Sequence, residues 1–398
     1  MTQSKKVLLF KGQSQYDVLR FFVDDLDRAF QFLGLPTVVV DLLAPDAESS
    51  LRRALAENQF LFALGFNGIG QELRIQDQSL YDVFRIPHFS FYVDHPVYHD
   101  DRLRYSFQYQ ITSFVDRDHL DFVDAYYPGK YAVFIPHGGC ADPAVRSSPM
   151  PLEKRSIPLL FAGSYRDPDA FLKSLGLPPD ITRQVHAISE IMLAGGNANI
   201  HRATVSFYRS LGIEPDSDFI PVMQIADMHF RLIHRKELIL SLSELPLTIC
   251  GNGWDQLKGA KKPLTVLAAK SFDDTLRLMG DSKIALSIVP TFQNGAHERV
   301  FSAMLSGAVA AADQNAHLDQ HMSPYEHYIG YRSGEPLADL LASALEDPNG
   351  LQSIASNGKR LAERNHTWAN RAVEILRAVK DFLQRVQETQ TEYSGPSQ

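Results

Sequence analysis

Between an apolar run, Ile284 to Val289, and Asp313, the sequence reads PTFQNGAHERVFSAMLSGAVAAAD. Asn294, Gly295, His297, Glu298 and Arg299 cluster in its polar turn, and with Val300 they form a candidate anion site. Glu298 and Arg299 fall in the first turn of a predicted helix, where free N–H groups and the helix dipole favour negative charge. Arg299 could pair with a diphosphate oxygen, since charge-assisted hydrogen bonds contribute about 1.5–3 kcal/mol each. Glu298 could accept ribose or sugar hydroxyls. The plainer account makes Glu298 a complement to the helix dipole and Arg299 a surface charge.

Three further stretches carry candidate chemistry. FAGSYRDP places Gly163 and Ser164 straight after a strand, where amides and a hydroxyl could hold a phosphate if a helix starts next. The alternative is a turn with Asp167 as a helix cap. In ICGNGWDQLKG, Gly251, Asn252, Gly253 and Trp254 form a Gly-rich turn with an aromatic face, suited to wrapping a nucleoside. Trp254 could equally be a cap over the core. FYVDHPVYHDD sets Asp94 and His95 at a strand end, a general-base pair or substrate clamp, or else an Asp that starts the turn before Pro96.

Other patterns are set aside. FNGIGQEL has its glycines in the wrong order for a dinucleotide fingerprint. His317 and His321 in HLDQH have helical spacing but no adjacent catalytic Glu, and read as surface. Asp-x-Asp pairs occur at Asp116 and Asp118, Asp167 and Asp169, and Asp216 and Asp218. None lies in the polar turn, so no metal or other cofactor is expected.

These residues need strands and helices to hold them. KVLLF, PTVVVDL, FLFALGF, HFSFYV, ITSFVD and YAVFIP are short apolar runs separated by amphipathic stretches such as Tyr16–Leu33 and Ala47–Asn58. Continuous β-branched and aromatic runs without polar alternation are the pattern of buried parallel strands. A Pro-rich segment, Cys140–Pro158, reads as a linker. A second series follows: LLFAGS, a long helical section over 170–243 broken at GGN and GIEP, then LTICG, PLTVLA, KIALSIV, AVAAAD and HYIGY. The fold class is therefore α/β, with two doubly wound Rossmann-like domains facing each other across a cleft. The expected boundaries are 1–145 for an acceptor-side domain and 156–380 for a second domain ending in a helix from Thr367 to about Gln387. Residues 388–398 read as a flexible tail.

Across 398 residues, 44% hydrophobic and 22% charged composition suits a globular protein of two domains. A net charge of −8 without a basic cluster argues against nucleic acid as a partner. Two cysteines make no disulfide framework. No apolar run reaches the roughly 18 residues of a membrane span or a signal-peptide core, so a cytoplasmic location is expected.

Taken in order, DSKIALSIV, ERVFSAMLSG, AVAAAD, the Gly253–Trp254 turn, NHTWANR, RIPHFSFYVDHP, SFVDRDH and AVFIPHGG resemble the CgeB-like, spore-maturation-type bacterial glycosyltransferases of GT-B fold. The resemblance runs from about Tyr16 to Leu383. It implies a nucleotide diphosphate sugar as donor, bound by the second domain, and a protein or glycan acceptor. One departure stands out: the helix carboxylate that follows Phe in many relatives is Ser302 here. If that carboxylate holds the ribose, either Glu298 substitutes for it or the donor binds differently. The residues also admit a sugar-nucleotide 2-epimerase on the same fold, or a non-catalytic two-domain sugar-binding protein.

Overall fold

A computed structural model describes residues 5–194, 199–332 and 334–393. It divides into two compact units, Met1–Gly138 with Trp368–Gln398, and Gly139–Thr367. Each is a Rossmann-like domain around one six-stranded parallel sheet.

In the first unit the strands are β1 (Lys6–Lys11), β2 (Thr37–Asp41), β3 (Phe60–Phe66), β4 (His88–Tyr92), β5 (Gln110–Phe114) and β6 (Ala132–Phe134). They lie in the order β2-β1-β3-β4-β5-β6, so the chain changes direction across the sheet between β1 and β3. Every residue of β4 and β5 is buried. Helices cover both faces of such a sheet, which is why these strands read as unbroken apolar runs.

The second unit contains β7 (Ile157–Ala162), β8 (Leu247–Cys250), β9 (Thr265–Leu267), β10 (Ser282–Ser287), β11 (Val309–Asp313) and β12 (Ile329–Tyr331). Their order is β9-β8-β7-β10-β11-β12, which places the switch point between β7 and β10. Ligands of open α/β sheets bind outside the carboxyl ends of the strands at such a point.

Three expectations change. The C-terminal helix, Trp368–Tyr393, packs on the first unit rather than the second, chiefly against the helix Val18–Phe32. Its first residue, Trp368, is buried among Phe22, Phe66 and Phe91, with ring centroids 4.9, 5.3 and 5.7 Å away. The helix also continues through 388–393, where a tail was expected; 394–398 lie outside the described residues. Finally, Cys140–Pro158 is not a loose linker. It is docked on the second unit through the Cys140 N–H to Ser302 Oγ (3.0 Å) and the Asp142–Arg277 ion pair (3.1 Å).

The expected helical section is four helices: Pro168–Leu175, Pro179–Ala194, Ile200–Ser210 and Ile220–Ser241. GIEP falls between the last two; the GGN break lies outside the described residues. No helix among the described residues is long and apolar enough to cross a membrane.

Candidate functional site

The second unit brings its candidates to the carboxyl ends of β7, β8 and β10. The helix Glu298–Leu305 begins there, capped by His297, whose ring nitrogen accepts the Arg299 N–H (3.3 Å). The Glu298 carboxylate is buried against the same imidazole. Arg299 is half-buried, and its charge reaches Arg235 on the helix Ile220–Ser241. Burial, then the positive charges of Arg231 and Arg299, depress the Arg235 guanidinium to about 9. Arg231 leans on Asp227 at 3.7 Å. Among the described residues neither Arg235 nor Arg299 is paired with a carboxylate. Arg235 donates only to the Ser164 carbonyl (2.7 Å) and lies over the Phe161 ring. An anion bound at the helix N-terminus beside Arg299 would also lower the repulsion that Arg235 feels from it.

The turn is braced from β11. Asn315 donates to the carbonyls of Phe292 and Gly295, both at 3.0 Å. Asn294, beside Gly295, is carried in the same loop. At the far end of the helix the guanidinium of Arg155, 4% exposed, donates to the carbonyls of Met150, Met279, Ser282 and Ser306. Burial lowers Arg155 to about 10. Met279 and Ser306 lie at the C-terminal ends of two helices, so the cation complements two negative dipole ends and locks the Glu298 helix in place. Val300 is buried and packs inward; Ser302 is buried with its hydroxyl accepting the Cys140 N–H.

The two Gly-rich loops are joined to each other. Asn252 N–H donates to Ser164 Oγ (3.2 Å), Tyr165 N–H to the Asn252 carbonyl (2.9 Å), and the Trp254 indole N–H to the Gly163 carbonyl (2.8 Å). A Cβ at Gly253, whose φ is +83°, would lie 2.1 Å from the Tyr165 carbonyl oxygen; one at Gly251 would lie 2.2 Å from that of Gly163. Close docking of the loops therefore requires both glycines. Trp254 is 4% exposed and stacked on Tyr165 at 5.1 Å. Its ring packs on the core, while Gly251, Asn252, Gly253 and Trp254 line a pocket of about 700 Å³. The Gly163–Ser164 turn does not open a helix directly either. The next helix starts at Pro168, with Asp167 accepting from the amides of Asp169 and Ala170.

In the first unit Asp94 and His95 follow β4. Asp94 is exposed and accepts from Asn67 Nδ2 (3.0 Å). The cap before Pro96 is His95, not Asp94: its ring nitrogen accepts the Val97 N–H (3.0 Å), and it packs edge-on against His119 and Phe122. Losing such a cap costs about 0.5–2 kcal/mol. His95→Ala is thus expected to lower the melting temperature, whereas Asp94→Asn is expected to leave it unchanged. Thermal unfolding of both variants checks this.

Each of these three Asp-x-Asp pairs is a helix start. Asp116, Asp167 and Asp216 accept the backbone N–H of Asp118, Asp169 and Asp218 at 2.8, 3.1 and 2.9 Å. His317, expected at the surface, is 2% exposed and packs on His321.

The family described as glycosyl transferase-like matches residues 234–377 in sequence, a stretch that contains Arg235, Glu298 and Arg299. No curated protein matches the chain in sequence. Among solved structures, sucrose-phosphate synthase from Thermosynechococcus elongatus superposes with a TM-score of 0.52 at 10% identity, over 98% of this chain and 100% of its own. Anabaena Alr3699/HepE in complex with UDP-glucose gives 0.51 at 12%, over 94% and 99%. An alpha-glucosyltransferase in complex with UDP and a 13-mer DNA containing a HMU base gives 0.55 at 10%, over 95% and 100%.

The chain has the GT-B fold, and residues 234–377 resemble the glycosyl transferase-like family.

Within the GT-B frame, Arg235 is the site residue that sequence reasoning passed over. Its signal was faint: Arg231 and Arg235 are four apart in an otherwise apolar helical run, hence on one face. Asp313, at the end of β11, was also missed. Burial raises its carboxyl from 3.8 to about 6, although the Val289 N–H and the Tyr331 hydroxyl donate to it. A raised folded-state pKa favours the neutral acid, so the stability it contributes is full below about pH 4 and is lost as pH rises through 6. Asp313→Asn is expected to stabilise the protein by about 1–3 kcal/mol above pH 7 and by nothing below pH 4. Melting temperatures at the two pH values check it.

Proposed function

We propose that this protein transfers a glycosyl group from a nucleotide diphosphate sugar to a protein or glycan acceptor. The observation that carries the reading is Arg299 in the first turn of the Glu298 helix, beside the switch point of the second sheet, with Arg235 at the Ser164 carbonyl within reach of its charge and neither arginine paired with a carboxylate among the described residues. Departure of a nucleoside diphosphate develops negative charge, and preorganised cations and amides aimed at that charge stabilise the transition state. Arg299 and Arg235 would hold the diphosphate, with Ser164 beside them. Glu298, one helical turn before Ser302 on the same face, would meet ribose or sugar hydroxyls. Asp94, an exposed carboxylate at the carboxyl end of β4, is the residue to activate an acceptor hydroxyl.

HepE and the alpha-glucosyltransferase were solved with UDP-glucose and UDP, so uridine nucleotides are the first to test. A bound nucleotide stabilises the folded state by mass action, and the best one should raise the melting temperature most. Turnover of the matching nucleotide sugar, followed as released nucleoside diphosphate, then decides the reading. No release with any nucleotide sugar, or an isomerised sugar nucleotide instead, overturns it.

In this reading the arginines do what a divalent metal does elsewhere. Turnover in excess EDTA is expected to equal turnover without it. A loss that magnesium or manganese restores would assign the leaving-group charge to a metal.

A further inference from the structure

A pocket of about 600 Å³ opens at the carboxyl ends of β10, β11 and β12. That volume lies within the roughly 300–1,000 Å³ of small-ligand pockets. Asp313 lines it. The Val289 N–H and the Tyr331 hydroxyl both bond to Oδ2 at 3.2 Å, so neither occupies Oδ1, the oxygen offered to a ligand. The amides of Gln293 and Gln314 stand nearby, and Phe230 and Leu193 supply apolar wall.

One wall comes from a feature that a plain α/β crossover does not need. A parallel crossover takes about a dozen residues. Between β7 and β8 this chain instead builds four helices, and the one spanning Pro179–Ala194 brings Leu193 to the pocket, opposite the helix Ile220–Ser241.

The lining chooses among ligand classes. Asp313, Asp319 and Glu237 face Arg332, which already donates to Gln314 (2.7 Å). An excess of carboxylates disfavours a phosphate, and Arg235 and Arg299 are not part of the wall. Among the described residues no group of three His, Cys, Asp or Glu side chains could hold a metal ion. A neutral ring rich in hydroxyls fits best: carboxylate and amide oxygens accept its O–H groups, while apolar side chains cover its C–H face.

We propose that this pocket is a saccharide-binding site, taking a neutral pyranose through Asp313 and separate from the diphosphate site. The assignment goes beyond the transfer reading and does not require it. Burial of Asp313 supports it, since a carboxyl held near 6 at the floor of a cavity carries a cost that a binding role explains.

Saturation-transfer difference NMR with free glucose, galactose and N-acetylglucosamine, without nucleotide, tests the site. At least one sugar is expected to show transfer from the wild-type protein. Asp313→Asn is expected to weaken it about tenfold or more, the loss of one good hydrogen bond to a charged group. Leu193→Trp, which fills the pocket from the half-exposed helix and leaves Asp313 in place, is expected to abolish it at unchanged melting temperature. Arg299→Ala is expected to keep it. No transfer from any of the three sugars overturns the proposal, as does transfer that survives Leu193→Trp. Loss in Arg299→Ala at equal folded fraction overturns the separation of the two sites. Failure of nucleotide-sugar turnover alone would leave all of these results as they stand.

Discussion

Arg299→Ala is expected to lower kcat/KM for the nucleotide sugar by about 10²- to 10³-fold, the range for removing one preorganised donor from a developing oxyanion. The fold should survive, because Arg299 is half-buried and its side chain holds no carboxylate that would be left unpaired. Only its backbone N–H takes part in the helix cap, and alanine keeps that bond. Arg299 also helps to depress Arg235, so its removal should let the Arg235 guanidinium rise towards its ordinary value. Arg299→Lys should recover part of the rate, since a lysine restores the charge but not the planar fork. Steady-state kinetics on samples of matched folded fraction check the prediction. Wild-type kcat/KM in the alanine variant would remove Arg299 from the chemistry.

Trp368→Ala is expected to cost about 3–5 kcal/mol of stability, the usual penalty for deleting a fully buried large aromatic side chain. Trp368 is 2% exposed and meets three phenylalanine rings, two of them edge-on or nearly so at 5.3 and 5.7 Å. It is also the residue by which the last helix enters the first unit. Deleting the indole should therefore leave a cavity and free the start of that helix together. Trp368→Phe should cost markedly less, because most of the ring contact remains. Denaturant unfolding measures both. A loss below about 1 kcal/mol for alanine would mean that the aromatic cluster closes over the gap.

How legible the molecule was depends on the kind of force involved. The runs at Lys6, Phe60, Phe89, Ile284 and Val309 announced strands because a sheet covered on both faces demands continuous apolar sequence, a local property. The polar turn before Glu298 was visible for a related reason. A helix start needs free amides and a cap, and His297 with Glu298 and Arg299 is written contiguously. Helix caps were harder. Asp167 could be weighed as one, but the identical spacing at Asp116 and Asp216 was set aside, and only the backbone N–H bonds show two more helix starts there.

Trp254, Arg235 and Asp313 show where local reading stops. Whether a tryptophan beside two glycines faces a ligand or a core depends on a second loop, 91 residues upstream at Gly163, whose carbonyl accepts its indole N–H. Arg235 belongs to the site only because the helix Ile220–Ser241 carries it to the Ser164 carbonyl, within reach of the Arg299 charge. Asp313 acquires its raised pKa from burial in the packed sheet, which outweighs the opposing hydrogen bonds from Val289 and Tyr331, neither of them adjacent to it in sequence. The C-terminal helix was itself predictable from its amphipathic pattern, but not the unit it joins, since an apolar stripe states that a partner exists and not which one. Composition and periodicity thus determined the elements and the class of fold, because these arise from solvation and hydrogen bonding along a few residues. Tertiary structure alone decided which arginine meets Arg299 and which loop hides Trp254, because those outcomes rest on contacts between segments that only the packed sheet brings together.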